Sequence, residues 1–247
     1  MNIAAIIQAR TGSTRLPNKV FLDLEGRPLI WHVFDRIKDS KFINQFILAT
    51  TDNKKDDGLE TWAFENKISI YRGSENNVLD RYYQAAKCFK SDIIVRITAD
   101  DPLKDVKIVD EVINELLINN VDFTFNNNPV SFPEGMDVEV FKFTALEIAN
   151  RNSVDSFERE HVTQYFHRNP LIFTSKNISY HKDLSYLRWT IDTLQDYKFA
   201  KLVYKNLFNF NKYFEFQDVL KLIDSNPDLA IINSNEKRSE MYKNKNI

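Results

Sequence analysis

The sequence predicts an α/β protein built on a three-layer, mostly parallel, Rossmann-like sheet. Short apolar runs alternate with helical patterns over residues 3–118, and small or polar residues follow each apolar run. Ligands of such sheets bind beyond the carboxyl ends of the strands. We therefore expect a functional site in the loops that follow the strands.

The first predicted element is a strand at 3–7, whose unbroken apolar run is typical of a strand buried on both faces. An extended piece at 21–24 leads to a helix after Pro28, because apolar residues recur at helical spacing from Leu29 to Ile37. The elements that follow are a strand at 46–49, a helix at 56–66, a strand at 68–71, a helix at 78–89, a strand at 92–98 and a helix at 106–118.

Beyond residue 118 this rhythm changes, and alternation at 136–143 predicts an antiparallel or mixed strand. The other elements predicted there are strands at 122–125, 171–175 and 187–190 and helices at 144–151, 157–168, 195–207 and 215–224. We predict one domain over residues 1–232, with an inserted arm at about 126–185. A polar tail at 233–247 is expected to be disordered, because it lacks core residues.

Length, composition and net charge argue against several classes of protein. A length of 247 residues suits one large domain, and 43% hydrophobic with 28% charged residues is ordinary for a globular protein. The net charge of −2 argues against a nucleic-acid partner, and the apolar runs are shorter than the roughly 18 residues of a membrane span. A lone Cys88 and the lack of a signal peptide predict a cytoplasmic location.

The loop after the first strand, ARTGSTRLPNK at 9–19, combines small residues with three cations. Small residues let backbone N–H groups approach an anion closely, and Arg10, Arg15 and Lys19 add full positive charges. This combination predicts a polyphosphate cradle. The alternative is a surface turn with solvated cations. The loop matches neither GxxxxGK[ST] nor GxGxxG.

Acidic residues follow two later strands. Asp100 and Asp101 end the strand at 92–98, and Asp192 follows the strand at 187–190. Carboxylate oxygens are hard ligands suited to Mg²⁺ between nucleotide phosphates. The same residues could instead cap the helices that begin after them.

The 9–19 loop resembles the signature loop of cytidylyltransferases that activate sugar acids. The closer resemblance is to the spore-coat polysaccharide biosynthesis cytidylyltransferase-like branch, which is related to ketodeoxyoctonate and acylneuraminate cytidylyltransferases. The resemblance implies a nucleotide-diphospho-sugar transferase (GT-A-like) version of the fold, with the loop holding the triphosphate of CTP. It assigns this role to Arg10, Gly12, Ser13, Arg15 and Lys19, with cytosine near the Ala9 carbonyl.

Two acidic segments extend this resemblance. RITADDPL at 96–103 resembles the family segment that carries the first metal carboxylate, which is Asp100 here, although Ala99 stands in place of the usual Gly. WTIDTLQD at 189–196 resembles the segment of the second carboxylate, which is Asp192 here, although Leu194 replaces the usual Pro. The resemblance therefore implies Mg²⁺ held by Asp100 and Asp192, with Asp101 the weaker candidate.

The remaining site residues are also assigned by resemblance or by position at a strand end. The segment at 71–82 resembles a nucleotide-side loop and helix, and the segments at 133–140 and 159–163 resemble an acceptor-side strand and helix. The His161 side chain either relays a proton or is an ordinary helix histidine. The nucleotide-side candidates are Thr50, Asp52, Arg72, Ser74 and Arg81, and the acceptor-side candidates are Asp137, Glu139, Arg159 and His161.

These features predict a Mg²⁺-dependent cytidylyltransferase in which an acceptor oxygen attacks the α-phosphorus of CTP. Arg15, Lys19 and Asp100 are the expected catalytic residues, because leaving-group charge collects on the β- and γ-phosphates. The expected acceptor is an acidic, nonulosonate-like sugar or a related surface-glycan precursor, and a homodimer is expected.

Three alternatives remain open at the level of sequence. The enzyme could use another nucleoside triphosphate or a phosphate-type acceptor. It could be a sugar-nucleotide glycosyltransferase, although no DxD triplet follows a predicted strand. It could be a non-catalytic nucleotide-binding subunit, although the presence of Lys19, Asp100 and Asp192 together argues against that.

Overall fold

The computed structural model describes residues 1–209 and 213–237. The strands are β1 (Ile3–Gln8), β2 (Asp23–Leu24), β3 (Arg27–Pro28), β4 (Gln45–Thr51), β5 (Ser69–Gly73), β6 (Ile93–Thr98), β7 (Phe123–Phe125), β8 (Glu139–Lys142) and β9 (Ser175–Asn177). The helices are α1 (Leu29–Ile37), α2 (Asp57–Glu65), α3 (Val78–Cys88), α4 (Val106–Asn119), α5 (Phe143–Asn152), α6 (Ser156–His161), α7 (Gln164–Arg168), α8 (Leu194–Leu207), α9 (Phe216–Ser225) and α10 (Asp228–Ile231).

The central sheet has seven strands in the order β5-β4-β1-β6-β8-β7-β9. β1 lies between β4 and β6 and is parallel to both, and β5 is parallel to β4. β8 is antiparallel to both of its neighbours, β6 and β7, while β9 is parallel to β7. The sheet is thus mostly parallel, and the α/β prediction is confirmed.

Helices cover both faces of this sheet, which gives the three predicted layers. Along β1, Ile3, Ala5 and Ile7 pack into the core under α1, α2, α4, α8 and α9. Ala4 and Ile6 point the other way, into a second core under α3, α5 and α7. The prediction that β1 is buried on both faces is confirmed, because alternate side chains of a strand enter opposite layers.

Three predictions for the second half were wrong. The helix expected at 157–168 is broken at Val162, whose φ of 53° interrupts the helical backbone between α6 and α7. The strand expected at 171–175 forms instead at Ser175–Asn177, because those residues pair with β7 while Leu171 is fully exposed. The strand expected at 187–190 is reduced to one isolated bridge between Glu134 and Arg188.

The stretch 126–185, treated above as an inserted arm, contributes directly to the sheet. Its strand β8 lies between β6 and β7, and Phe141 of that strand is fully buried. At the end of the described chain, Asn233 is buried, although the predicted polar tail begins there. Residues 238–247 of that tail lie outside the described residues. Within the described part of the chain, we find no helix that is both long and apolar enough to cross a membrane.

Candidate active site

A cavity of about 490 Å³ opens where β1 and β6 end. Its walls come from the loop after β1, the loop after β6, helix α3, helix α6 and the segment before α8. Ten of the predicted site residues line it, namely Ala9, Arg10, Gly12, Ser13, Arg15, Lys19, Arg81, Asp100, His161 and Asp192. The expectation of a site beyond the strand ends thus agrees with the position of the cavity.

The 9–19 loop is anchored from below by a buried carboxylate that the sequence analysis did not single out. Asp56 accepts hydrogen bonds from the Thr11 backbone N–H at 2.7 Å and from the Thr11 hydroxyl at 2.6 Å, and it also accepts one from Thr51. Burial alone would raise the pKa of Asp56, but these hydrogen bonds outweigh it and hold the pKa below its usual value. The loop is therefore held in a defined shape.

Lys19 brings the two predicted metal carboxylates together. Its ammonium lies 2.6 Å from Asp100 Oδ2 and 2.7 Å from Asp192 Oδ1. The Ile191 backbone N–H donates to the Asp100 carbonyl at 2.9 Å, so the segment carrying Asp192 is fastened to the end of β6. Burial alone would lower the pKa of Lys19, but the two carboxylates outweigh it and raise the pKa.

Asp192 has two further cationic neighbours. Its Oδ2 lies 3.0 Å from Arg15 and 2.9 Å from Arg188. Burial alone would raise the pKa of Asp192, but Lys19, Arg15 and Arg188 together lower it, so the carboxylate is ionised at neutral pH. An ionised carboxylate in a cavity lined by cations is suited to a site where phosphates and a metal ion meet.

The donor set of Asp100 and Asp192 fits a magnesium ion. Both carboxylates reach one ammonium group, so one small cation in that region could contact both. Among the described residues there is no cluster of three or more His, Cys, Asp or Glu residues placed to hold a metal. Mg²⁺ commonly uses one or two carboxylates and completes its shell with substrate phosphates and water. The pair therefore suits a metal that arrives with a nucleotide.

Comparison with known proteins decides the family. The family model described as cytidylyltransferase matches residues 4–237. The chain belongs to the cytidylyltransferase family. It is similar to a cytidylyltransferase structure from Leptospira borgpetersenii, with 35% identity, a TM-score of 0.89, and coverage of 97% of this chain and 99% of that one.

Three curated relatives are similar to this chain over nearly all or about half of its length. The chain is 39% identical to the uncharacterized protein MJ1063 of Methanocaldococcus jannaschii, over 95% of this chain and 96% of the relative. It is 30% identical to the spore coat polysaccharide biosynthesis protein SpsF of Bacillus subtilis, over 93% of this chain and 97% of SpsF. A 3-deoxy-manno-octulosonate cytidylyltransferase of Geobacter sulfurreducens is 31% identical over 48% of this chain and 47% of that protein. The predicted membership of a spore-coat-like cytidylyltransferase branch is confirmed at the level of the family.

The cavity of this cytidylyltransferase family member has two sides that differ in origin. We call the 9–19 loop with Asp100 and Asp192 the cradle side. Its residues adjoin the core under α1 and α8, because Val20, next to Lys19, and Ile191, next to Asp192, both pack into that core. We call Arg81, Arg96 and His161 the helix side, because α3 and α6, which carry Arg81 and His161, belong to the opposite layer.

On the helix side, two arginines line the cavity. Arg81 is buried and donates to the Ser74 carbonyl at 2.7 Å, and Arg96 contacts Glu139 at 2.5 Å. The Nε atom of each is buried and has no hydrogen-bond partner among the described residues. Burial disfavours the charged form and lowers the pKa of Arg81, and the opposing effect of Asp56 and Glu75 is smaller. Both side chains are thus suited to an anionic ligand.

Seven predicted site residues do not line the cavity: Thr50, Asp52, Arg72, Ser74, Asp137, Glu139 and Arg159. The Arg72 guanidinium turns toward α2, where it pairs with Asp57 at 2.7 Å and Glu60 at 2.6 Å. The Arg159 guanidinium donates to Asn150 at 2.9 Å and to the Ser153 carbonyl at 2.5 Å. These two arginines tie secondary-structure elements together in the structure.

The other members of that group also lie outside the cavity lining. Thr50 is fully buried at the end of β4, and Asp52 is exposed. Asp137 precedes β8, so it does not share a strand with Glu139 as the alternation had predicted. The carboxylate of Glu139 is buried and accepts from Asn127 at 3.1 Å and from Thr163 at 2.8 Å. Glu139 therefore reaches the cavity only through its partner Arg96.

Sequence reasoning missed several residues at the cavity. Glu75 lines it and bridges two cations, with Lys55 at 2.9 Å and Arg10 at 3.6 Å. The Lys55 ammonium lies directly over Gly12, so near that an added Cβ on the glycine would approach it to 2.8 Å. Arg188 and Arg96 were also missed, since an arginine inside an apolar strand pattern gives no signal of its partners.

Proposed function

We propose that the protein transfers CMP from CTP to an acidic sugar, nonulosonate-like or a related surface-glycan precursor, and releases pyrophosphate. The observation that carries this proposal is the position of the Lys19 ammonium, shared between Asp100 and Asp192 at the mouth of the 9–19 loop. Cations and carboxylates alternate there over a few ångströms. This arrangement suits a triphosphate with its metal ion better than it suits an uncharged ligand.

The reaction we propose is a single in-line displacement. A hydroxyl oxygen of the acceptor forms a bond to the α-phosphorus of CTP and gives up its proton to solvent, and the bond from that phosphorus to the pyrophosphate oxygen breaks. Arg15 and Lys19 stabilise the charge that develops on pyrophosphate, because both reach the cavity from the cradle side. The residues that line the cavity hold the reactants in line, and no covalent enzyme intermediate is required.

We propose Asp100 and Asp192 as the residues that hold Mg²⁺. The ion, when bound with nucleotide, would neutralise phosphate charge and lower the pKa of an attacking hydroxyl. Lys19 and Arg15 contact these carboxylates in the structure. Phosphate oxygens would compete for both cations, so nucleotide binding would free the carboxylates for the metal ion.

The acidic acceptor is supported by the helix side of the cavity. Arg81, Arg96 and His161 line that side, and no ion pair holds the Arg81 guanidinium among the described residues. The positive charge of Arg81 would attract a carboxylate on the acceptor. One relative is named a 3-deoxy-manno-octulosonate cytidylyltransferase and another a spore coat polysaccharide biosynthesis protein, which supports a sugar destined for a surface polysaccharide.

We also propose a homodimer and a cytoplasmic location. Large apolar side chains are exposed within the 126–185 stretch at Val154, Leu171 and Ile172, where a second copy could cover them. Light scattering behind a sizing column tests the dimer: a mass of twice 29.1 kDa supports it, and a monomer at micromolar concentration contradicts it.

The proposed cytoplasmic location is supported by the exposed, unpaired Cys88, because a free thiol suits a reducing compartment.

Thermal unfolding with CTP, UTP, ATP and GTP, each with and without Mg²⁺, tests the donor. A ligand at about a hundred times its Kd adds roughly 2.7 kcal/mol of stability, which a melting shift resolves. We expect CTP to give the largest shift, and Mg²⁺ to increase it. Pyrophosphate release with a set of acidic sugars then identifies the acceptor. A preference for another nucleotide would contradict the CTP assignment, and no shift with any of them would contradict the nucleotide site.

A further inference from the structure

Asp192 is supported by a buried arginine that the mechanism above does not use. Arg188 contacts three carboxylates, through Nη1 to Glu134 at 2.6 Å, through Nη2 to Asp192 at 2.9 Å and through Nε to Asp196 at 2.9 Å. Its side chain is only 5% exposed. A planar guanidinium presents its donors in a fixed geometry, so these contacts determine where the Asp192 carboxylate points.

Asp196 fixes the backbone of the same residue. Its Oδ2 accepts from the backbone N–H groups of Asp192 and Thr193, each at 3.0 Å. This carboxylate belongs to the capping box at the start of α8, in which the Asp196 backbone N–H donates to the Thr193 hydroxyl. Asp192 is therefore held at its main chain by Asp196 and at its side chain by Arg188.

The C-terminal segment completes this support. The Asn233 amide nitrogen donates to the Arg188 carbonyl and to Asp196 Oδ1, both at 2.9 Å, and the residue is only 3% exposed. The Lys237 carbonyl also accepts from Arg188, at 3.3 Å. A segment far along the chain from the cradle loop thus contacts two residues that hold Asp192.

Position relative to the cavity separates Arg188 from the other cations beside Asp192. Arg15 and Lys19 line the cavity, where phosphate oxygens can compete with Asp192 for both of them. Arg188 does not line the cavity and stays with its three carboxylates. It is the cation that would keep Asp192 in place after nucleotide binds.

We propose that Arg188, Asp196 and Asn233 form a positioning network that fixes Asp192 for metal-dependent nucleotide binding, with the C-terminal segment as part of the site. The inference rests on the proposed function. Partners that orient a metal-ligating carboxylate typically contribute about 10- to 100-fold to metal affinity or activity. Disturbing the network should therefore weaken the metal response of the protein while leaving the phosphate cations intact.

The test uses two variants of the full chain, Arg188→Lys and Asn233→Asp. Lysine keeps the charge but loses the planar set of donors, and aspartate replaces a donor with a carboxylate beside Asp196. Thermal unfolding is measured for ligand-free protein, with CTP, and with CTP over a Mg²⁺ titration. We expect the CTP shift without metal to persist, and the Mg²⁺ concentration for half of the added shift to rise about 10-fold or more.

Arg168→Lys is the matched control. Arg168 also pairs with two carboxylates, Asp155 at 2.5 Å and Glu158 at 3.2 Å, but it does not line the cavity. This variant should keep the wild-type Mg²⁺ response. The comparison separates loss of a multiply paired arginine from loss of support for Asp192.

The possible outcomes distinguish a failure of the positioning network from a failure of the proposed function. Variants that unfold at a lower temperature but keep the wild-type Mg²⁺ titration would show a purely structural role and overturn the network. If Arg188→Lys does not fold, Asn233→Asp alone decides in the same way. A wild-type protein that responds to neither CTP nor Mg²⁺ would instead overturn the proposed function, so the two failures are distinguishable.

Discussion

The two sides of the cavity are built by different means. On the cradle side, the loop follows directly after a buried strand, and every cation predicted there lines the cavity. On the helix side, Arg81 and His161 line the cavity, but Arg159 of α6 turns to a neighbouring helix. Arg72 of β5 also turns away, toward α2. A loop at a strand end is placed by the strand itself, whereas the direction of a long arginine side chain depends on packing that sequence spacing does not reveal.

The largest expected effect tests the cradle side. Asp100→Asn should reduce turnover by about 10²–10³-fold, because it removes one of the two carboxylates assigned to the metal. The fold should persist, since Lys19 retains Asp192 as a partner. Pyrophosphate release gives the rate, and the melting temperature checks the fold.

Asp57→Asn is the control for that variant. Asp57 pairs with Arg72 outside the cavity and is 59% exposed, so its loss should leave turnover unchanged. Near wild-type turnover by Asp100→Asn would contradict the metal assignment.

The second effect tests the packing that carries Asp192 to the cradle side. Gly135 has a φ of +100°, and an added Cβ would lie 2.6 Å from the Thr190 backbone nitrogen. Gly135→Ala should lower the free energy of unfolding by about 3 kcal/mol, from the strained backbone and the clash together. Gly26 also has a positive φ, of +81°, but open space around it. Gly26→Ala should cost only about 1–2 kcal/mol, and equal losses in chemical denaturation would contradict the close approach at Gly135.

These placements show how far sequence reasoning reaches. The strand-to-loop transition at Ala9 and the helix after Pro28 follow from local patterns, and the structure has both. Lys19, Asp100 and Asp192 are distant in sequence, and only their resemblance to family segments predicted that they would meet. The contacts of Arg188 with Glu134 and Asn233 depend on tertiary packing between distant segments, and the sequence carries no local signal of them.

A third prediction concerns the pH dependence of stability and the buried His32, which lies outside both sides of the cavity. Burial lowers the pKa of His32 to about 4 from an ordinary 6.5, against an opposing hydrogen bond to the Leu24 carbonyl. Between these values the unfolded chain binds the proton and the folded chain does not, so the free energy of unfolding falls as pH drops from 6.5 toward 4. His32 should account for up to about 3 kcal/mol of this loss.

Denaturation of His32→Gln over the same pH range measures that contribution. The variant should show a shallower pH dependence than the wild type, because glutamine does not titrate. CTP affinity should be unaffected by the substitution, since His32 does not line the cavity. Identical slopes for the two proteins would contradict the assignment.

The smallest effect compares Arg72, which lies outside the cavity on β5, with Arg81 of the helix side. Arg72→Gln should change the free energy of unfolding by less than about 1 kcal/mol, because its carboxylate partners Asp57 and Glu60 are exposed. CTP affinity should stay at the wild-type value, whereas Arg81→Gln should weaken ligand binding because Arg81 lines the cavity. Calorimetric titration of both variants compares them directly. Loss of CTP affinity in Arg72→Gln would restore the nucleotide role that the sequence predicted for it.

Lys19 contacts both Asp100 and Asp192, and we propose that it turns to phosphate when a nucleotide binds with its metal ion. The direct measurement is a calorimetric titration of Mg²⁺ into the protein, first without nucleotide and then with saturating CTP, corrected for Mg²⁺ binding to free CTP. We predict little binding without CTP and clear binding with it. Tight Mg²⁺ binding that is the same with and without CTP would contradict the account.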